Sequence, residues 1–215
     1  MNDVEEVMET LLGYYKNEKI PTVRRTSKSK DPFKTLISCL LSLRTQDKNT
    51  EKASKALFEV ATIPQEIIAL PIEKLEKLIF SSGHYRKKAA VLKSVSSEIL
   101  TRFNGKVPDT EEELLSIKGV GRKTANIVLA FAYDKLVIPV DTHVHRIPNR
   151  LGWIKTKTPE KTEFELMKII PKKYWPEINT LWIQFGKTIC VPISPFCSKC
   201  PIEKYCKKVG VERHR

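Results

Sequence analysis

Four of the five cysteines fall within seventeen residues near the C-terminal end: Cys190, Cys197, Cys200 and Cys206, a C-x6-C-x2-C-x5-C array. Four thiolates gathered in one short loop suit either an iron-sulfur cluster or tetrahedral zinc. Zinc sites usually pair two short CxxC knuckles across a long spacer, whereas here there is a single short pair, so the spacing leans toward iron-sulfur and leaves zinc open. Disulfides would suit a small secreted domain, and this chain has ample apolar material for a core. The flanking Lys199, Lys204, Lys207 and Lys208 are placed either to meet phosphates or to lie in solvent.

A second constellation lies at 114–128, LLSIKGVGRKTANIV. Gly119-Val120-Gly121 stands between two helical stretches, where glycines let the backbone turn sharply and bring N–H groups close to a ligand. Those groups, at the positive end of the following helix, form an anion site suited to a phosphate. A nucleotide-binding P-loop is excluded because it needs Gly directly before its Lys, and Arg122 stands there. The motif resembles a helix-hairpin-helix. Lys123 sits in the first turn after the glycines, where the helix dipole works against an ammonium. A lysine so placed is a candidate amine nucleophile, with a phosphate-contacting lysine as the plainer alternative. Downstream, VDTHVHR puts Asp141 where it would cap a helix opening at Thr142. His143 and His145 are two apart on that helix and so face different ways, which makes a shared metal a poor fit.

The elements that must position these residues read as helices. Val4, Val7, Met8, Leu11, Leu12 and Tyr15 recur on one face of an N-terminal helix, which must therefore dock on something. The basic, serine-bearing stretch from Pro21 to Lys30 reads as a loop or linker. Asp31-Pro32 starts a helix apolar nearly all round through Leu43, expected to be buried centrally, with Cys39 a small core residue. Further helices are signalled near Asp47, after Pro71, from Tyr85 to Phe103, from Asp109 with Glu112 as capping box, and from Arg122 to Tyr133. Later ones begin at Thr142, Thr158-Pro159 and Pro176, with Pro148 expected to kink or end the first of these. Only Val137 to Val140 could be a strand, so the fold is read as all-α.

Composition narrows the function. Thirty-eight Lys and Arg against 25 Asp and Glu give a formal charge of +13 in 215 residues, which favours a polyanionic partner, nucleic acid first. A Lys- and Glu-rich surface with only three glutamines (Gln46, Gln65, Gln184) would also fit a thermophile. No apolar run approaches the roughly 20 residues that cross a bilayer. Acidic Asp3, Glu5 and Glu6 stand where a secretory leader would need positive charge, so the chain is expected to be intracellular.

Together, GVGRKTAN, VDTHVHR eighteen residues after the lysine, and the cysteine array closely resemble the endonuclease III family, in the family's order from about residue 31 to 206. The resemblance implies an all-α fold of two helical domains flanking a DNA-binding cleft: a six-helix domain at 25–135, and an iron-sulfur domain made of 1–24 and 136–215. It implies a bifunctional glycosylase and abasic-site lyase for oxidised or saturated pyrimidines. In it Lys123 attacks the deoxyribose C1′, Asp141 assists, and Cys190, Cys197, Cys200 and Cys206 hold a [4Fe-4S] cluster that is chiefly structural. Arg44, His84, Lys118, Gly119, Val120, Gly121 and Arg122 are the implied DNA contacts. The partner so implied is double-stranded DNA containing damaged bases or abasic sites, and the chain is expected to meet it as a monomer in a prokaryotic cytoplasm, at the nucleoid.

The chain departs from the family at several of these positions. Arg44 replaces a glutamine that fills the gap left by a flipped base, His84 an apolar wedge, and Lys118 a proline of the hairpin. A non-catalytic lesion-recognising protein, a mismatch thymine or uracil glycosylase, and a zinc-stabilised scaffold are the competing readings. Lys123 argues against the mismatch enzymes, which lack it, and the Lys123–Asp141 pair argues against a mere binder.

Overall fold

The structure, a computed structural model, describes residues 3–17 and 21–215. Among these residues all regular structure is helical and no strand occurs; 137–140 runs without a ladder. In chain order the helices are α1 (Asp3–Tyr14), α2 (Thr22–Thr26), α3 (Pro32–Ser42), α4 (Asp47–Phe58), α5 (Pro64–Ala69), α6 (Ile72–Leu78), α7 (Tyr85–Phe103), α8 (Glu111–Ser116), α9 (Arg122–Ala132), α10 (Thr142–Leu151), α11 (Pro159–Ile169) and α12 (Trp175–Thr188). No helix of the described residues is long and apolar enough to cross a membrane. The chain divides into two compact units, Ile20–Lys135 on one side and Met1–Lys19 with Leu136–Arg215 on the other.

In the Ile20–Lys135 unit, α3 is the hub. The Asp31 carboxylate accepts from Lys34 N at 3.0 Å, Pro32 opens the first turn, and Phe33, Leu36, Ile37, Cys39, Leu40 and Leu41 are all buried. Helix α3 packs against α2, α4, α7 and above all α9, whose Ile127, Val128, Leu129 and Phe131 are buried. Each such side chain contributes about 1.5–3 kcal/mol by leaving water. Helix α7 buries Ala89, Leu92, Val95 and Ile99 and carries α5 and α6.

In the other unit, Val4, Val7, Met8 and Leu11 of α1 enter one core with Val144 and Ile147 of α10, Leu166 of α11, and Trp182 and Phe185 of α12. The docking face read from the sequence is thus buried. Polar ties reinforce it: Tyr174 Oη donates to Glu9 and Tyr205 Oη donates to Glu6.

Four local expectations are corrected. The stretch from Pro21 to Lys30 is structured, with α2 followed by a 3-10 turn at Ser27–Ser29. Its supports are tertiary and polar: Thr22 N donates to Asp47 Oδ1 at 2.9 Å, and the Arg24 guanidinium lies 4.4 Å from the Phe131 ring centroid. Helix α8 starts one residue later than expected. Thr110 accepts from Glu113 N at 3.3 Å and donates to Glu113 Oε2, while Asp109 is drawn away to Lys135. Helix α5 was not anticipated, and Glu66 makes its start by accepting from Thr62 N and Ile63 N, which holds its carboxyl below the usual range. Finally, Pro148 does not end α10, which runs on to Leu151 and stops at Gly152 in the left-handed region.

Candidate functional site

The hairpin is built between α8 and α9. Ile117 and Val120 are buried, and Val120 N donates to Ile117 O at 3.0 Å, so Val120 anchors the turn with its side chain turned inward. Gly119 has φ +98°, and a Cβ there would meet Val91 Cγ1 at 3.1 Å. Gly121 starts α9 at φ −95°, no side chain caps it, and nothing lies within 4 Å of where its Cβ would be. The two glycines therefore do different work. Gly119 serves the fold, whereas the open space at Gly121 exposes the first N–H groups of α9, which have no carbonyl behind them. Gly119→Ala is expected to cost about 1–3 kcal/mol through backbone strain. Gly121→Ala should leave the melting temperature nearly unchanged and weaken DNA binding instead. Thermal melts paired with DNA titrations check both.

Lys118 N donates to Glu98 Oε1 at 3.2 Å while its side chain is exposed, and Arg122 pairs with Glu111. Lys123 occupies the first turn of α9, half-buried. Its charge is felt by Cys39 on α3: burial pushes that thiol up to about 12, and Lys123 works against the rise. Cys39 is 2% exposed, the core residue expected.

Asp141 caps α10 doubly, its Oδ1 accepting from His143 N and Val144 N, both at 2.8 Å. His143 and His145 part company as their spacing requires. His143 Nδ1 lies 3.0 Å from Arg146 Nη2, and His145 Nδ1 lies 2.6 Å from Thr162 Oγ1. Gly186 of α12 makes room for the first pair, since a Cβ there would collide with His143 Nδ1 and fall 2.9 Å from Arg146 Nη2. Lys123 belongs to one unit and Asp141 to the other.

Arg44 and His84 are both exposed, and both adopt left-handed backbone, φ 51° and 57°. Within the Ile20–Lys135 unit their loops touch: a Cβ on Gly83 would lie 3.0 Å from the Arg44 carbonyl oxygen.

Cys190, Cys197, Cys200 and Cys206 line one cavity, with Ile147, Leu151, Phe185, Ile189 and Ile202 as apolar walls. No three His, Cys, Asp or Glu side chains among the described residues converge as a ligand set for a metal ion. Four thiols on one cavity wall nevertheless suit a metal group held by sulfur. Arg150 Nη1 donates to Cys190 Sγ at 3.5 Å and Lys208 N to Cys206 Sγ at 3.3 Å, while Cys206 Sγ donates to Arg150 O at 3.6 Å. Burial pushes Cys200 up to about 11, and the neighbouring sulfurs add to the rise; a metal held there would supply positive charge that works the other way. Sequence reading missed the arginines. Arg146 donates to Cys190 O at 2.7 Å and Arg150 to Val191 O at 2.7 Å, which ties α10 to the cysteine loop. Their i,i+4 spacing on α10 was the available signal. Of the flanking lysines, Lys208 pairs with Glu203 and Lys204 lies over Tyr205. The Lys207 stem covers Gly152, and Lys199 is exposed.

The model of the HhH-GPD superfamily of base excision DNA repair proteins matches residues 37–172. Endonuclease III of Thermotoga maritima is 51% identical over 183 residues, 85% of this chain and 86% of that protein. The chain belongs to the endonuclease III family. Endonuclease III of Bacillus subtilis is 36% identical, over 83% of this chain and 82% of its own length. A trapped endonuclease III–DNA covalent intermediate shares the fold with a TM-score of 0.83 at 34% identity, covering 96% of this chain and 95% of that one. A thermostable thymine-DNA glycosylase reaches the same TM-score at 24% identity and shows the fold alone. As a member of that family, the chain is a DNA glycosylase and abasic-site lyase of base excision repair.

Proposed function

We propose that this protein removes oxidised or saturated pyrimidines, thymine glycol among them, from double-stranded DNA, and cuts the strand through an imine on Lys123. The observation that carries the assignment is that one amine and one carboxylate each stand at a helix start, Lys123 behind the hairpin glycines and Asp141 at the doubly bonded cap. The target nucleotide leaves the stack first, because C1′ is out of reach inside a duplex. The Lys123 amine forms a bond to C1′ as the bond to the base breaks. The base departs with the electron pair and takes up a proton, and Asp141 stabilises the positive charge that builds on the sugar. The sugar ring opens to the protonated imine. Loss of a C2′ proton then expels the 3′ phosphate, and water hydrolyses the imine to free the enzyme.

In the same reading, backbone N–H groups of Gly121 and Arg122, with Lys118, hold phosphates on the helix dipole, Gly119 and Val120 shape the turn that presents them, and Arg44 and His84 occupy the space left by the extruded nucleotide. The domains are 25–135, and 1–24 with 136–215. The protein acts as a monomer in the cytoplasm, at the nucleoid. Cys190, Cys197, Cys200 and Cys206 would hold a [4Fe-4S] cluster, whose contribution is to fold the loop and place the lysines around it.

Two measurements test this. Borohydride added during reaction with a thymine glycol duplex should trap a covalent protein–DNA adduct, and absence of both adduct and excision would leave only a binding protein. Anaerobically purified protein should be brown, absorbing near roughly 400 nm as thiolate-ligated iron does, and should lose colour and thermal stability together when iron is stripped. A colourless sample holding one zinc would overturn the cluster.

A further inference from the structure

One buried cation has no part in the chemistry above. Lys88, in the first turn of α7, is 8% exposed, and among the described residues no carboxylate pairs with it. Its ammonium donates to Leu41 O at 2.7 Å, Thr45 Oγ1 at 2.8 Å and Ser82 Oγ at 2.8 Å. Three donors meet three neutral acceptors, so the group is satisfied, yet its desolvation is uncompensated by opposite charge and pushes it down to about 8. Burying an ammonium this way is a poor means of gaining stability, because an apolar side chain of similar length would pack without that cost.

What the ammonium does accomplish is to join two loops far apart in sequence. Leu41 and Thr45 belong to the end of α3 and the turn into α4; Ser82 belongs to the loop between α6 and α7. Around the same point Ser82 Oγ donates to Leu41 O at 2.9 Å, and Gly83 N donates to Thr45 Oγ1 at 3.0 Å. Each loop then presents one exposed residue in the left-handed region, Arg44 directly before Thr45 and His84 directly after Gly83. Bulky residues hold such backbone only where their surroundings over-determine it. The hydrogen bonds that supply this determination converge on Lys88.

We infer that Lys88 is a positioning residue: its buried ammonium clamps the two loops so that Arg44 and His84 stand as one rigid pair, ready to fill the gap in the duplex as the target nucleotide leaves. The inference rests on the reading that those two residues enter DNA. Lys88 touches no substrate, so its removal should slow only reactions that require a nucleotide to be pulled from a stacked duplex.

The test compares two substrates with Lys88→Met, which keeps side-chain length and removes the donors. On a duplex carrying thymine glycol, single-turnover base release should fall by about 100-fold, the scale of an ångström-level misplacement. Cleavage of a single-stranded oligonucleotide with a preformed abasic site should stay nearly unchanged, because there is no stack to open. A fluorescent purine analogue opposite the lesion should lose its unstacking signal in step with the duplex rate. Thr45→Val, which removes one acceptor near the surface, serves if Lys88→Met melts too low to assay, and should shift the duplex to single-strand ratio the same way by a smaller factor. Equal losses on both substrates would make Lys88 a structural residue only, and an unchanged duplex rate would remove it from the reaction. If the wild-type protein itself neither excises nor traps, the underlying assignment of function fails, which is a separate outcome.

Discussion

Replacing Lys123 by glutamine is expected to reduce strand cleavage by on the order of 10⁴-fold or more, the scale on which removal of a covalent nucleophile acts, and to leave DNA affinity nearly intact. Glutamine keeps a polar stem of similar helix propensity in the first turn of α9, so the hairpin has no reason to move. The proposed anion site is made of backbone N–H groups behind Gly121, at an uncapped helix start that the substitution does not touch. Borohydride trapping should disappear together with cleavage. The plainer alternative, a lysine that only contacts phosphate, makes the opposite forecast. Binding would weaken alongside cleavage, and the slope of log affinity against log salt would fall by about 0.9 for the one lost contact. A salt titration of Lys123→Gln beside its single-turnover rate therefore separates the two roles. The melting temperature should change little, since Lys123 is only half-buried.

Asp141 calls for two substitutions, because the proposal gives a capping carboxylate a second job in catalysis. Oδ1 alone accepts both cap hydrogen bonds, from His143 N and Val144 N. An asparagine can keep that oxygen in place and loses only the charge, so Asp141→Asn should slow base release by about 10²–10³-fold, as loss of a preorganised transition-state partner does. Its melting temperature should stay close to that of the wild type. Asp141→Ala loses the charge and the cap, and should add a destabilisation of about 1 kcal/mol. Strand cleavage at a preformed abasic site should suffer less than base release in both variants, since no base departs there. If instead activity followed melting temperature through the pair, with asparagine nearly active, Asp141 would be a helix cap and nothing more.

The helices that carry these residues were legible where apolar periodicity and capping chemistry agreed. Helix α3 is the clearest instance: Asp31 as cap, Pro32 in the first turn and an apolar run account for its start, its burial and its place at the centre of a unit. Long α7, bounded by His84 and Asn104, was equally plain. The misreadings share a cause. The segment from Pro21 to Lys30 has no apolar face to announce it, and its order comes from Asp47 and Phe131, distant in sequence. At α8, Asp109 and Thr110 are both good caps, and Lys135 decided between them by pairing with Asp109.

By itself, the order of amino acids determined the all-helical class, the hairpin glycines, the isolated amine and carboxylate, and the four-thiol array. Each of these is written in residue type and short-range spacing, which neighbouring backbone atoms translate directly into local geometry. Only the tertiary structure decided that Gly119 and Gly121 differ in setting, that Arg146 and Arg150 bind α10 to the cysteine loop, and that a buried Lys88 joins the two loops that carry Arg44 and His84. Those facts depend on which side chains arrive at one place from distant stretches of chain. Packing settles that, and no local pattern encodes it.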